Sequence, residues 1–246
     1  MTLLVTGATG YLGSELLRRT DAVGVASADV DIRDAVAVGA LFERLRPQAV
    51  IHTAYRRDDR ATTFDGAVNV AAAAAGARLV HLSTDVVFDG EKGAPYVEED
   101  EPTPLTEYGR AKADAERAVL AEHPGALVVR TSLIYGEARP GPQELLAADP
   151  DATFFTDEVR CPIQVGDLAD ALIELAATDL SGVLHVAGAD RLSRHEFAEL
   201  LVGRAVGAAS TADAGVVRPR DCSLAIDRAR GLLRTRLRGA REVLEP

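Results

Sequence analysis

Lysine is rare in this chain, which has only two lysines, Lys92 and Lys112, against twenty-five arginines. The 246 residues include no tryptophan, and aromatic residues make up 4% of the sequence. Positive charge is also in deficit, because the formal net charge at pH 7 is −11. An acidic protein of this kind repels phosphate backbones and anionic lipid headgroups, so we expect neither nucleic acid nor a membrane surface as a partner.

Cysteines, metal-ligand clusters and long apolar runs are equally scarce. Cys161 and Cys222 are too few for a disulfide framework, which fits a reducing compartment. The histidines show no metal-ligand spacing, so no metal is expected, and His52 and His81 are interpreted as core residues of apolar strands. We see no secretory signal peptide, and no apolar run reaches about 18 residues. The sequence therefore predicts a cytoplasmic protein without a membrane span.

Short apolar strands alternate with helical patterns along the chain. The predicted strands are 2–6, 22–26, 49–52, 79–82, 126–131 and 183–187. The predicted helices are 11–19, 34–46, a segment ending at 71–75, one from 103–106 to 124, 167–178 and 193–206. This alternation predicts an α/β fold with a doubly wound parallel sheet of the Rossmann type. We expect a Rossmann domain at 1–136 and a small C-terminal substrate lobe at 137–246, interleaved with it.

A glycine-rich turn follows the first predicted strand. Gly7, Gly10 and Gly13 have the spacing G-x-x-G-x-x-G and precede the first predicted helix. Glycines permit a tight turn and a close approach of the backbone to a pyrophosphate, and the helix N-terminus adds a positive dipole end. An ordinary βα turn can have the same spacing, but the position between a strand and a helix favours a dinucleotide site.

The end of the second predicted strand gives no clear signal for NAD or NADP. An acidic residue there would select a ribose 2′-hydroxyl, and an arginine would select a 2′-phosphate. The chain instead offers Ser27, Asp29 and Asp31. Both cofactors therefore stay open, and we expect Asp31 and Ile32 to border the adenine.

Tyr108 and Lys112 are four residues apart, so they share one face of the predicted helix, roughly 6 Å apart along its axis. A tyrosine hydroxyl has an unperturbed pKa of about 10. A neighbouring ammonium favours the phenolate and lowers that pKa toward the range useful for acid–base catalysis. A surface pair is the plainer interpretation of this spacing, but the scarcity of lysine makes the placement specific.

Ser83, Thr84 and Asp85 follow the fourth predicted strand. Hydroxyls at the carboxyl end of a parallel strand face the ligand crevice and can donate to a carbonyl oxygen. An Asx or ST turn is the structural alternative, and it is favoured for Ser83 taken alone. Tyr108, Lys112 and the glycine turn together indicate a nicotinamide-dependent oxidoreductase.

Four segments, two of which extend the residues just described, have recognisable motifs. Ser83–Gly90 reads S-T-D-V-V-F-D-G, Pro95–Glu99 reads P-Y-V-E-E, Tyr108–Lys112 reads Y-G-R-A-K, and Arg130–Gly136 reads R-T-S-L-I-Y-G. These motifs resemble the extended short-chain dehydrogenase/reductase superfamily and, more narrowly, the dTDP-4-dehydrorhamnose reductase family. Val86 stands where that family usually has tyrosine. The resemblance covers most of residues 1–136.

The resemblance implies a set of site residues. The implied catalytic residues are Thr84, Tyr108 and Lys112. The residues implied at an NADP or NAD site are Gly7, Gly10, Tyr11, Leu12, Gly13, Asp31, Ile32, Thr53, Ala54, Tyr55, Ser83 and Lys112. Those implied at the substrate are Ser83, Asp85, Val86, Phe88, Tyr135 and Arg160.

The activity implied by the resemblance is NAD(P)H-dependent reduction of a keto group, most naturally on a 4-keto sugar nucleotide, with a homodimer left open. A non-catalytic, cofactor-binding regulatory subunit like that of methionine adenosyltransferase is one alternative, and the intact Thr84, Tyr108 and Lys112 set counts against it. A sugar-nucleotide epimerase or dehydratase is another. Dehydratases of the superfamily usually have Asp-Glu after the catalytic threonine, whereas this chain has Asp85-Val86.

Overall fold

The computed structural model describes residues 2–136 and 139–245. Its strands, in chain order, are β1 (Leu3–Thr6), β2 (Val23–Val25), β3 (Ala49–His52), β4 (Arg78–Thr84), β5 (Leu127–Thr131), β6 (Ile134–Tyr135), β7 (Thr153–Phe155), β8 (Val159–Arg160), β9 (Ile163–Gln164), β10 (Gly182–His185), β11 (Leu192–Ser193) and β12 (Gly207–Ala209). Its helices are α1 (Tyr11–Arg19), α2 (Ala35–Leu45), α3 (Arg60–Thr63), α4 (Asp65–Ala73), α5 (Glu107–Glu122), α6 (Pro142–Ala148), α7 (Val165–Ala176), α8 (Arg194–Val202), α9 (Asp227–Leu232) and α10 (Ala240–Leu244).

The chain divides into two compact units. The first consists of Met1–Ser83, Glu107–Val129 and Ala169–Leu184. The second consists of Thr84–Thr106, Arg130–Leu168 and His185–Pro246. The domain boundary after residue 136 stays a prediction from the sequence.

The main sheet has six strands in the order β10-β5-β4-β3-β1-β2. It is a parallel sheet, in which β1 pairs with β2 on one side and with β3 on the other, and β3 pairs with β4. The predicted α/β fold with a parallel sheet of the Rossmann type is therefore confirmed. The chain leaves β1 toward β2 and returns on the other side of β1 as β3, so a topological switch point lies between β1 and β3.

Continuous burial explains why the central strands form. Every residue of β1, β3 and β5 is buried, which is typical of strands covered on both faces of a parallel sheet. The apolar side chains of β1 and β3 join helix residues in one core of the first unit, to which Leu4, Val50 and Phe42 belong. The two strands pair in a parallel register that places Thr6 beside His52 at their carboxyl ends.

The helix ends follow local sequence signals. The Asp34 side chain accepts hydrogen bonds from the backbone N–H groups of Val36 and Ala37 and so caps α2. That helix ends at Leu45, and its C-cap residue Arg46 adopts a left-handed conformation (φ 44°) immediately before Pro47. The helix predicted at 193–206 is shorter than expected and ends at Val202, because Gly203 takes a left-handed cap conformation (φ 64°).

The second unit contains short two-stranded sheets. The pairs are β6 with β9, β7 with β12, and β8 with β11. Tyr135 and Phe197 pack edge to face, with ring centroids 5.2 Å apart, in one of its apolar clusters. In the stretches 2–136 and 139–245, no helix has the length and apolar character needed to cross a lipid bilayer.

Leu4→Ala tests the core of the first unit. Leu4 is completely buried in β1, so the variant leaves a cavity and should lose about 2–5 kcal/mol of unfolding free energy. Val36→Ala is the control, because Val36 on α2 is 83% exposed; it should change the value by less than about 0.5 kcal/mol. Urea unfolding followed by circular dichroism measures both, and equal midpoints would contradict the assigned core.

Candidate active site

The glycine turn lies at the switch point of the first unit. Gly7 has φ +73°, and a Cβ atom there would lie 2.8 Å from the Ala54 nitrogen and 2.9 Å from Thr53 Oγ1. A Cβ atom on Gly13 would overlap the carbonyl oxygen of Gly7. Glycine is therefore required at both positions for the turn after β1 to pack against the start of α1 and against the turn after β3.

The turn after β3 is fastened to β1 by hydrogen bonds. Thr53 Oγ1 donates to the carbonyl oxygen of Thr6 at 2.7 Å, and the Thr53 backbone N–H donates to the same oxygen at 3.3 Å. The structure thus brings Gly7 beside Thr53 and Ala54, three of the residues predicted to line a dinucleotide. In open α/β sheets, ligands bind at the carboxyl ends of strands that flank such a switch point.

Two aspartates in the segment after β2 pair with groups of the same segment. The Asp29 carboxylate accepts a hydrogen bond from the Ala26 backbone N–H at 2.8 Å, so Asp29 caps the turn. Asp31 is exposed and pairs with Arg33 at 2.7 Å. Hydrogen bonds from the Arg33 side chain, and then from its backbone, lower the pKa of Asp31 to about 2. An acid and an arginine therefore lie together at the position where the sequence left the cofactor choice open.

Tyr108 lies in the first turn of α5 and is half-buried. Its ring centroid is 5.7 Å from that of Tyr55, another predicted cofactor residue. The guanidinium carbon of the exposed Arg57 lies 5.0 Å from the centre of the Tyr108 ring. Sequence reasoning missed Arg57, since nothing in its local pattern distinguishes it from the other arginines.

Lys112 is deeply buried, with 3% of its surface exposed. Its Nζ donates to the carbonyl oxygen of Leu82 at 2.5 Å and lies 3.5 Å from His81 Nε2. Burial lowers the pKa of Lys112 to about 8, and the Glu116 carboxylate opposes this effect. A lysine buried at this cost is unusual outside functional sites.

The two strand histidines are neutral core residues beside this ammonium. The rings of His52 and His81 stack with centroids 5.2 Å apart. Burial, and then the charge of Lys112, lower the pKa of His52 to about 3 and the pKa of His81 well below its usual value. Their predicted core position holds, but His52 Nε2 and His81 Nδ1 are buried without a hydrogen-bond partner in the described part of the chain.

Ser83 and Thr84 make different contacts although they are neighbours at the end of β4. Ser83 is buried and its hydroxyl donates to Glu116 Oε1 on α5. Thr84 belongs to the second unit, where its Oγ1 donates to Asp85 Oδ1 at 3.2 Å and accepts from the Val86 N–H at 3.4 Å. The ST turn considered for Ser83 is thus made by Thr84, and the Ser83 hydroxyl proton is already engaged by a carboxylate.

Asp85 and Arg160 belong to a buried polar cluster of the second unit. Asp85 accepts a hydrogen bond from Ser132 Oγ at 2.6 Å and lies 3.7 Å from the Arg160 guanidinium. Burial raises the pKa of Asp85, and the charge of Arg160 opposes that change. Arg160 is 1% exposed and also donates to Glu158 and to the backbone carbonyl oxygens of Val159, Pro219 and Arg220.

The other predicted substrate residues differ in their exposure. Phe88 is fully buried and stacks on Tyr96, with ring centroids 3.9 Å apart. Tyr135 is fully buried against Phe197. Val86 is half-buried and retains exposed surface. No group of three or more histidine, cysteine or acidic residues suited to a metal ion occurs in residues 2–136 and 139–245.

The RmlD substrate binding domain family model matches residues 1–230. The chain belongs to this family. The resemblance inferred from the motifs is therefore confirmed. Among RmlD-family relatives, a dTDP-4-dehydrorhamnose reductase of Mycobacterium tuberculosis is 36% identical over 88% of this chain and 78% of its own length.

Two further comparisons bear on the function. Methionine adenosyltransferase 2 subunit beta of Rattus norvegicus is 31% identical over 80% of this chain and 70% of its own length. The crystal structure of dTDP-4-dehydrorhamnose reductase from Bacillus anthracis in complex with NADP has a TM-score of 0.90 and 27% identity, and the match covers 100% of this chain and 98% of that one. The fold of that structure thus matches every part of this chain, while the family model ends at residue 230.

The buried ammonium of Lys112 predicts a pH dependence of stability. Its pKa falls from 10.5 to about 8 on folding, so between these values the unfolded chain binds the proton more tightly. Stability should therefore rise with pH in this window, by at most about 1.4 kcal/mol per pH unit. Urea unfolding at several pH values should show the wild type gaining stability relative to Lys112→Met. Parallel pH curves for the two proteins would contradict the burial of the charge.

Proposed function

We propose that this RmlD-family protein is an NAD(P)H-dependent reductase that converts a keto group of a sugar nucleotide into a hydroxyl. The Mycobacterium tuberculosis relative and the Bacillus anthracis NADP complex, both named dTDP-4-dehydrorhamnose reductase, support the proposal. The observation on the molecule that carries it is the ammonium of Lys112, buried one helical turn from Tyr108. A 4-keto sugar nucleotide is the favoured substrate.

The proposed chemistry divides between a proton and a hydride. NAD(P)H supplies the hydride when it is bound. Tyr108 donates its phenolic proton to the carbonyl oxygen as the carbonyl carbon accepts the hydride, which yields the alcohol. Lys112 stabilises the phenolate that remains, because an opposite charge favours the ionised phenol. The proposed role of Thr84 is to donate a hydrogen bond to the same carbonyl oxygen and so orient the ketone.

The proposed cofactor site is built on the glycine turn. Its residues are Gly7, Gly10, Tyr11, Leu12, Gly13, Asp31, Ile32, Thr53, Ala54, Tyr55, Ser83 and Lys112. The close packing of Gly7 against Thr53 and Ala54 supports the pyrophosphate end of this assignment. Arg33 paired with Asp31 supports either cofactor, because the carboxylate suits a ribose hydroxyl and the guanidinium suits a phosphate.

The proposed substrate contacts differ in kind. Val86 has exposed surface and is proposed to touch the substrate directly. Asp85, Phe88, Tyr135 and Arg160 are buried in the second unit and are proposed to support the substrate-binding surface of that unit. Ser83, whose hydroxyl is bonded to Glu116, is proposed to act on the position of that carboxylate.

The proposal also covers the cellular compartment and the oligomeric state. A cytoplasmic, reducing setting suits the buried thiols Cys161 and Cys222, since burial raises the pKa of both and keeps them unreactive. A homodimer is the assembly to test, by sedimentation equilibrium of the purified chain.

Tyr108→Phe tests the proton donor. The variant removes one hydroxyl, so kcat for the 4-keto sugar nucleotide should fall by about 10²–10⁴-fold. NADPH oxidation followed at 340 nm measures the rate, and an unchanged dissociation constant for NADPH controls for folding. Equal turnover by the two proteins would remove Tyr108 from the mechanism.

Gly13→Ala tests the cofactor site. The added Cβ atom would overlap the Gly7 carbonyl oxygen, so the turn must open and NADPH affinity should fall by at least about tenfold, equivalent to 1.4 kcal/mol. Gly39→Ala on α2 is the matched control, because a Cβ atom there meets nothing within 4 Å. NADPH fluorescence titration measures both variants. Retained binding in Gly13→Ala would place the dinucleotide elsewhere.

The methionine adenosyltransferase relative keeps a second function open. That protein is named as a subunit of another enzyme, which favours a cofactor-binding regulatory role for this chain as the alternative. Tight NADPH binding without turnover of any keto sugar nucleotide, together with a stoichiometric protein partner, would favour it. An epimerase or dehydratase would instead keep bound NAD through purification and show no net consumption of NADPH.

A further inference from the structure

A buried carboxylate, Glu116, follows Lys112 by one turn of α5. Glu116 is 2% exposed and Lys112 is 3% exposed. The repeated four-residue spacing from Tyr108 to Lys112 to Glu116 aligns the phenol, the ammonium and the carboxylate along one face of the helix. The hydroxyl of Ser83 on β4 donates to Glu116 Oε1, so the carboxylate is anchored to the sheet.

The groups around the ammonium explain why a counter-charge matters. His81 Nε2 lies 3.5 Å from Lys112 Nζ, and the neutral ring of His52 stacks on that of His81. The ring centroid of Tyr55 lies 5.8 Å from Nζ. These imidazoles and this phenol bring no negative charge in their neutral forms, and the Leu82 carbonyl contributes only a dipole.

The charge of Arg57, which lies near Tyr108, does not replace that of Glu116. The exposed Arg57 lies over the Tyr108 ring and is itself a cation. Burial lowers the pKa of Lys112, and Glu116 is the carboxylate that raises it again. An unpaired buried charge tends to neutralise by a shift of its pKa, so a fixed opposite charge is what keeps such a lysine protonated.

We propose that Glu116 is a positioning residue, whose carboxylate holds Lys112 in the charged form while Ser83 holds the carboxylate. The catalytic consequence rests on the proposed function, because the charge of Lys112 is what favours ionisation of Tyr108. Glu116 acts on the reaction only through Lys112. The sequence signal is the spacing Tyr108-x-x-x-Lys112-x-x-x-Glu116, in which the third member joins a pair already recognised.

The scarcity of lysine makes a direct test practicable. Protein labelled with ¹³C at lysine Cε gives two side-chain NMR signals, which Lys92→Arg assigns. Lys92 is exposed and paired with Asp100, so it serves as an internal reference. A pH titration then reports the pKa of Lys112 in the intact protein without any need for turnover.

The variants should change the titration in a graded order. Glu116→Gln should lower the pKa of Lys112 by about one unit or more, because a nearby opposite charge contributes shifts of that size. Two milder variants should give smaller shifts in the same direction. Glu116→Asp keeps the carboxylate on a shorter side chain, and Ser83→Ala removes the hydroxyl that donates to the carboxylate. Glu122→Gln is the matched control, since it removes an exposed carboxylate from the same helix.

Several results of these titrations would overturn the proposal. An unchanged titration of Lys112 in Glu116→Gln overturns the proposal, as does a shift of equal size in Glu122→Gln. Should Glu116→Gln fail to fold, Glu116→Asp and Ser83→Ala carry the test, and an unshifted Lys112 signal in both overturns it. The Lys92 signal should stay constant throughout.

Kinetics of the same variants test the link to the reaction. The alkaline limb of the kcat profile for ketone reduction should move to lower pH in Glu116→Gln by the same amount as the NMR titration, with KM for the ketone little changed. A wild type without turnover defeats the proposed function but leaves the NMR result standing. An active wild type whose Lys112 titration ignores Glu116 defeats this inference alone.

Discussion

Burial of the Lys112 ammonium is the constraint that the polar groups between α5 and β4 must satisfy. Removing a cation from water is costly unless other groups replace its solvation. Here β4 supplies the Leu82 carbonyl oxygen, α5 supplies Glu116, and the two stacked histidines remain neutral. Tyr108 lies one helical turn before Lys112 on the same face of α5. In the proposed mechanism, packing between α5 and β4 therefore places the charge that acts on the phenol.

The glycine turn imposes a second constraint of a different kind. Gly7 and Gly13 are sites where any side chain would collide with backbone, so the turns after β1 and β3 can pack only with glycine there. The Thr53–Thr6 hydrogen bonds hold these two turns together at the switch point. Backbone groups rather than charged side chains thus shape the proposed pyrophosphate site, which suits a chain with a net charge of −11.

The second unit uses its charges chiefly to hold itself together. The Arg160 guanidinium donates to Glu158 and to the carbonyl oxygens of residues 219 and 220, and it lies beside Asp85. Its N–H groups are engaged by these partners within the second unit. Side chains in such a network have little freedom to turn toward a ligand. In the proposed function, specificity for one keto sugar over another therefore comes from half-buried groups such as Val86 and from the backbone shape that the network maintains.

The sequence by itself determined the order of the six main-sheet strands and of the longer helices between them, the glycine spacing and the Tyr108–Lys112 pair, because each depends on periodicity or on residues within one element. It missed the short strands β6–β9, β11 and β12 and the helices α3, α6, α9 and α10, which are too short to give a periodic pattern. Only the tertiary structure decided which partner each polar side chain takes. Ser83 bonds to Glu116, thirty-three residues away, and Arg160 bonds to Pro219 and Arg220. Local patterns fix which face of an element a residue occupies, whereas burial and partners depend on elements brought together by the fold.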